Sequence, residues 1–165
     1  MRQKNVQRKK ENPSRRNNAI IGHTRIKHMN EEITKSEKEW EEVLTPDQFA
    51  VCRKKATEPP FTGKYTYCKD DGIYRCTCCD NKLFSSNAKF DSGSGWPSFF
   101  EPISEDSVKY ESDMSYGMRR IEVMCAKCGA HLGHVFDDGP MPTNNRFCIN
   151  SISLKLDREQ SISKT

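Results

Sequence analysis

The sequence predicts a mainly β domain with a short helical lead-in, and three observations carry that prediction. From residue 61 onward the segments are short and punctuated by Gly and Pro. In the same region tyrosine, phenylalanine and isoleucine gather in strand-like runs. Nowhere do strands alternate with long helices, which argues against a parallel, doubly wound sheet.

The 165 residues suit one domain of ordinary size plus tails. Only 34 % of them are apolar, so part of the chain is expected to lie outside the core. No run approaches the ~18 apolar residues of a membrane helix. The basic start, MRQKNVQRKK, lacks the apolar stretch of a secretory signal. A cytoplasmic protein is expected. Charge is unevenly spread: residues 1–28 hold nine basic residues against Glu11 alone, a net +8, so with +4 overall the body carries −4. Of the aromatic residues only Trp40 precedes residue 45. A basic stretch with nothing to bury reads as a disordered tail, assigned to residues 1–40.

Taken in order, EEITKSEKEWEEVL has helical composition, with Ile33, Trp40, Val43 and Leu44 as its sparse apolar positions. Thr45-Pro46-Asp47-Gln48 reads as a helix start, with Thr45 capping, Pro46 in the first turn and Gln48 closing a capping box. Phe49, Cys52 and Ala56 give that helix an apolar face, and it is expected to end before Pro59-Pro60. Strands are predicted at 72–76, 120–125, 134–136, 146–150 and 152–156. In the second of these Ile121, Val123 and Cys125 alternate with their neighbours, as in a half-buried antiparallel strand.

Eight cysteines without an export signal point to metal or redox chemistry rather than a disulfide framework. Cys76-Thr-Cys-Cys79 and Cys125-Ala-Lys-Cys128 are two CxxC pairs, each able to form a knuckle whose sulfurs point the same way. Together they offer the four thiolates of a structural Zn2+ site: Cys76, Cys79, Cys125 and Cys128. Two thioredoxin-type redox pairs would need a βαβ setting that is absent here.

Cys148 lies in Arg146-Phe-Cys-Ile-Asn150. Strand alternation puts Arg146, Cys148 and Asn150 on one face and Phe147 and Ile149 on the other. Arg146 would favour the reactive thiolate, although a small buried hydrophobe is the other reading of such a cysteine. Further on, Ile152, Leu154 and Leu156 look core-facing despite sharing the parity of Cys148, so the phase switches near Ser151, as a β-bulge would cause. His131-Leu-Gly-His134 follows the second knuckle closely, in what reads as a loop held rigid by the metal, where imidazoles can move a proton. Trp96, between two glycines and Pro97, makes an aromatic wall that suits a ligand site as well as core packing.

The runs SNAKFDSGSGWPSFF, SYGMRRIEVMCAKCGAHLGHVFDDGP and RFCINSISL, with TEPPFTGKY and GIYRCTCC ahead of them, resemble the methionine sulfoxide reductase B family over residues 45–156. The resemblance leaves 157–165 as a short C-terminal tail. It implies a sandwich-like fold of two antiparallel sheets, a four-cysteine zinc site away from the active site, and reduction of the R epimer of methionine sulfoxide in oxidised proteins. By motif, Cys148 resembles the nucleophile, and His131, His134, Trp96, Arg146 and Asn150 resemble the substrate pocket. The implied cycle runs through a sulfenic acid on Cys148, with His134 or His131 as proton donor and thioredoxin as reductant. A monomer is expected, with neither nucleic-acid nor membrane partners. Many members of the family carry a resolving cysteine where this chain has Ser94, and others where it has Thr62. Cys68, in a polar stretch, is the candidate resolver, with direct reduction by an external thiol as the alternative. A zinc-ribbon module for nucleic acid or protein is the rival reading, but the acidic body and a cysteine between Arg146 and Asn150 do not suit it.

Overall fold

The computed structural model describes residues 31–159. Two helices come first, α1 (Glu37–Val43) and α2 (Pro46–Cys52), each set by a reciprocal capping box: Ser36 with Glu39, and Thr45 with Gln48. α2 ends sooner than the apolar spacing suggests. Lys55 adopts a left-handed φ of 61°, and Ala56, expected on the apolar face, is exposed. The helices bury Trp40, Val51 and Cys52. Trp40 is only 3 % exposed and lies beneath the guanidinium of Arg53, 4.5 Å from the ring centre. The Ile33 amide donates to the Lys127 carbonyl at 2.7 Å, and Glu32 pairs with Lys109. Packed chain therefore begins ahead of the boundary expected at residue 40. At the other end Asp157 and Arg158, expected in the C-terminal tail, belong to the last strand, paired in its sheet. The remaining expectations for the tails fall on residues 1–30 and 160–165, outside the described part. Among the described residues no helix is long and apolar enough to cross a membrane.

Among the described residues nine strands follow: β1 (Gly72–Cys76), β2 (Lys82–Ser85), β3 (Lys89–Phe90), β4 (Ser98–Phe99), β5 (Val108–Asp113), β6 (Arg120–Cys125), β7 (His131–Phe136), β8 (Arg146–Ile149) and β9 (Leu154–Arg158). They form two antiparallel sheets, β2-β1-β9 and β3-β4-β8-β7-β6-β5, so the expected mainly β, two-sheet class is borne out. The predicted strands correspond to β1, β6, β7, β8 and β9. β2 to β5 were not anticipated, and two of these are only two residues long, too short to show an alternation.

An aromatic cluster joins the sheets. Phe84 of β2 stacks on Phe99 of β4 at 4.4 Å between ring centres, Tyr74 of β1 meets Phe99 edge-on at 5.1 Å, and Phe147 of β8 lies 5.8 Å from Phe84. Each such ring contributes about 1.5–3 kcal/mol of burial. β8 sends Phe147 and Ile149 into this core, so Cys148 must face the other way.

Two local expectations are corrected. β6 is not half-buried: Glu122, Val123, Met124 and Cys125 are all buried and Ile121 is the exposed one, because Glu122 is covered on the outer face by its own polar partners. The phase change after Cys148 is made by a one-turn 3-10 helix, Ser151–Ser153, rather than a bulge; it re-aims the chain so that Leu154 and Leu156 turn inward.

Candidate active site

β8 lies between β4 and β7, and the register sets Cys148 directly opposite Ser98 on one side and His134 on the other. Directly opposed side chains stand about 4.5–5.5 Å apart at Cβ and share a face. His131-Leu-Gly-His134 is therefore part of a strand, correcting the loop expected there. Gly133 lets β7 and β8 approach, since a Cβ on it would collide with the Cys148 carbonyl oxygen.

Cys148 and His134 open on a cavity of about 100 Å³, which Trp96, Phe136, Asn150 and Arg120 also line. That is room for about three water molecules, or for the end of a small side chain. Sequence reasoning placed Cys148, His134, Trp96 and Asn150 in one site, and the fold brings them together. Arg146 shares the Cys148 face of β8 but does not line the cavity. Both carboxylate oxygens of Asp138 hold its guanidinium, at 2.8 and 3.1 Å, and it lies 4.4 Å from the centre of the Phe136 ring. Burial pushes the Cys148 thiol up, against the downward pull of the Ser94 hydroxyl and the Arg146 charge. Arg146 pulls toward the thiolate, as expected, and burial outweighs that pull.

Four acids complete the site: Asp138 and three others that the sequence did not single out. Asp113 accepts a 2.7 Å hydrogen bond from His134 Nε2, and Arg120 Nη2 reaches the same oxygen at 3.1 Å. Glu122, 3 % exposed, accepts from His131 Nδ1 at 2.7 Å and from Lys55 Nζ at 2.9 Å. Burial outweighs that carboxylate and lowers the pKa of His131, so its ring is neutral. His131 packs edge-on to His134, 5.6 Å between centres, but does not line the cavity.

Glu58 is the third. Its amide donates to Asn150 Oδ1 at 3.0 Å, its carbonyl accepts from Trp96 Nε1 at 3.0 Å, and its buried carboxylate accepts from the Ser151 amide. Burial raises its pKa. Asn150 spends its Nδ2 on the Leu132 carbonyl at 2.9 Å, so both ends of its amide are engaged within the protein. The remaining candidate, Cys68, is not brought to Cys148. It packs against the core and lines a separate hollow with Lys89 and Phe90.

At the ends of β1 and β6 the two CxxC pairs meet. The sulfurs of Cys76, Cys79, Cys125 and Cys128 all lie within 4.8 Å of one another, with Cys76–Cys128 at 3.7 Å and Cys79–Cys125 at 3.6 Å. Four sulfurs 2.3 Å from a tetrahedral ion would stand about 3.8 Å apart, so the set fits a metal ion of that kind. Asp80 and Gly129, each just past a knuckle, take left-handed φ values of 66° and 71° to close the two turns. Arg53 donates to the Cys128 carbonyl at 2.9 Å and Gln48 to Thr77 Oγ1 at 3.2 Å, so the helical lead-in rests on both knuckles.

A family model described as SelR domain matches residues 44–158. A protein of Methanosarcina mazei named peptide methionine sulfoxide reductase MsrB is 55 % identical over 132 residues, spanning 80 % of this chain and 94 % of its own length. Proteins of the same name from Methanosarcina barkeri and Pseudomonas fluorescens Pf-5 are 56 % identical over 128 residues and 58 % over 126. Those two matches span 78 % and 76 % of this chain, and 90 % and 97 % of the respective relatives.

Proposed function

This chain belongs to the SelR family, the B-type peptide methionine sulfoxide reductases, and on that premise we propose that it reduces methionine (R)-sulfoxide in oxidised proteins, with Cys148 as nucleophile. The observation that carries the assignment is the direct opposition of Cys148 and His134 on paired strands facing one cavity.

The sulfoxide methyl group rests on Trp96 and Phe136, since it offers nothing for a polar group to hold. Cys148 passes its proton to His134 Nδ1 and its sulfur attacks the substrate. The S–O bond of the sulfoxide breaks, a new S–O bond forms on Cys148, and His134 returns the same proton to that oxygen. Methionine leaves reduced by two electrons, and Cys148 is left as a sulfenic acid, oxidised by two. Of the two histidines proposed for this step, His134 is supported by its place in the cavity, whereas His131 is neutral and holds Glu122. Arg146, Asn150 and Trp96 shape the pocket. One external thiol then condenses with the sulfenic acid, releasing water, and a second frees Cys148; a thioredoxin-type dithiol supplies both. Cys68 as an internal resolver has no contact supporting it.

Zinc is the metal that four thiolates at this spacing suit best, and the closed shell confines it to holding the fold.

Turnover of separate R and S sulfoxide epimers with dithiothreitol or thioredoxin tests the proposal. The R epimer should be consumed, Cys148→Ser should abolish turnover with melting unchanged, and His134→Ala should slow it by about 10²- to 10⁴-fold. Activity surviving in Cys148→Ser would sink the assignment.

A further inference from the structure

Three serine hydroxyls run in line from the core to the sulfur of Cys148. Ser98, fully buried on β4, sits directly opposite Cys148 in the sheet. Its Oγ is 2.7 Å from Ser92 Oγ and 3.2 Å from the Trp96 carbonyl. Ser92 Oγ donates to Ser94 Oγ at 2.8 Å, and Ser94 Oγ lies 4.0 Å from Cys148 Sγ. Each hydroxyl has one proton to give. Ser92 gives its proton to Ser94, and the single proton of Ser98 is shared between Ser92 Oγ and the Trp96 carbonyl, to which Ser98 donates. Ser94, accepting from Ser92, has its own proton for the sulfur.

The loop that presents Ser94 is fixed. Asp91 Oδ1 accepts from the Gly93 amide at 3.1 Å, and Ser92 Oγ accepts from the Ser94 amide at 3.3 Å. Gly95 adopts a φ of +94°, and a Cβ on it would press into Pro60 and Phe61. Meanwhile the nearby cation, Arg146, is held by Asp138.

We propose that Ser94 is a catalytic residue, whose hydroxyl, backed by Ser92 and Ser98, donates to Cys148 Sγ and stabilises the thiolate that attacks the sulfoxide. The inference rests on the reading of Cys148 as nucleophile. Hydrogen bonds aligned head to tail polarise one another, so the last donor is stronger than a lone serine. Ser94 keeps its proton throughout. The proton of the product sulfenic acid comes from His134, and the electrons pass between the two sulfurs.

The test is the pH dependence of Cys148 alkylation by iodoacetamide in the full chain, with the site read by mass spectrometry. It needs no turnover. Ser94→Ala should move the titration midpoint up by about one unit, leaving about tenfold less thiolate at a fixed pH below it. Turnover at saturating sulfoxide should fall by a similar factor with little change in KM. Ser92→Ala should give a smaller shift of the same sign, and Ser94→Thr should restore the wild-type midpoint. An unchanged midpoint in Ser94→Ala, or a threonine variant titrating like the alanine one, overturns the proposal. A wild-type chain inert toward the R sulfoxide would instead sink the functional reading, and the midpoints would still decide what Ser94 does.

Discussion

Asp113 Oδ2 lies 2.7 Å from His134 Nε2, although the two residues sit on strands that are not neighbours in the sheet. The carboxylate reaches past β6 and fixes the ring from its far nitrogen, leaving Nδ1 for the proton that chemistry needs. The Ser115 hydroxyl and amide, and after them His134, hold the Asp113 carboxyl well below the usual carboxylate range.

A carboxyl with a depressed pKa contributes stability that is present above its unfolded value, about 3.9, and is lost as pH falls through the folded one. Asp113→Asn should therefore melt lower than wild type at neutral pH, with the gap narrowing below about pH 4. Turnover should drop at the same time, through kcat more than KM. Thermal melts of both proteins across that range provide the measurement, and a gap independent of pH would count against the account.

Glu58 ties three pieces of the pocket together, so its side chain and backbone can be separated by mutation. Glu58→Gln keeps an acceptor for the Ser151 amide and should cost little stability. Glu58→Ala leaves that amide unpaired at a buried turn, at a cost of about 1–3 kcal/mol. The alanine variant should also show altered Trp96 fluorescence and a raised KM. Equal stability of the two variants would show that the carboxylate is not needed there.

The four-cysteine site should hold the fold together. Forming such a site contributes on the order of 10 kcal/mol in small zinc domains, comparable to the whole stability of a typical domain. Cys128→Ser should lose the metal and unfold the chain at ordinary temperature. Elemental analysis paired with circular dichroism tests this, and a folded, metal-free protein would be the contrary result.

Trp40 makes the helical lead-in a structural part of the domain. Trp40→Ala should destabilise it by about 3–5 kcal/mol, as expected for emptying a buried tryptophan site. Removing residues 1–40 should cost at least as much, contrary to the disordered tail that composition assigns there. Chemical denaturation of both variants provides the comparison.

The sequence made some of this legible and hid the rest for physical reasons. Thr45-Pro46-Asp47-Gln48 signals a helix start because every contact of a capping box is local. The alternation around Cys148 was readable because Phe147 and Ile149 are unmistakably core residues. Asp113, Glu122 and Glu58 were not readable. They are three among 23 acids, and the contacts that single them out are distant in sequence: Asp113 to His134 spans 21 residues, Glu122 to Lys55 spans 67, and Glu58 to Trp96 and Asn150 spans 38 and 92, all brought near only by the tertiary fold. The Asp138 partner of Arg146 was hidden for a related reason: it comes back to the guanidinium only after the chain turns between β7 and β8.

The position of β8 in the sheet also bears on how the protein is made. Ribosomes deliver residues in order, and the strand that bridges β4 and β7 is second to last of the nine. Until residues 146–158 emerge, the nascent chain holds two unjoined half-sheets, and the edge of β1 that β9 will cover stays open. The sulfur proposed as the nucleophile arrives on the same segment that closes these sheets. A chain synthesised short of that segment therefore lacks Cys148, which emerges together with its shelter.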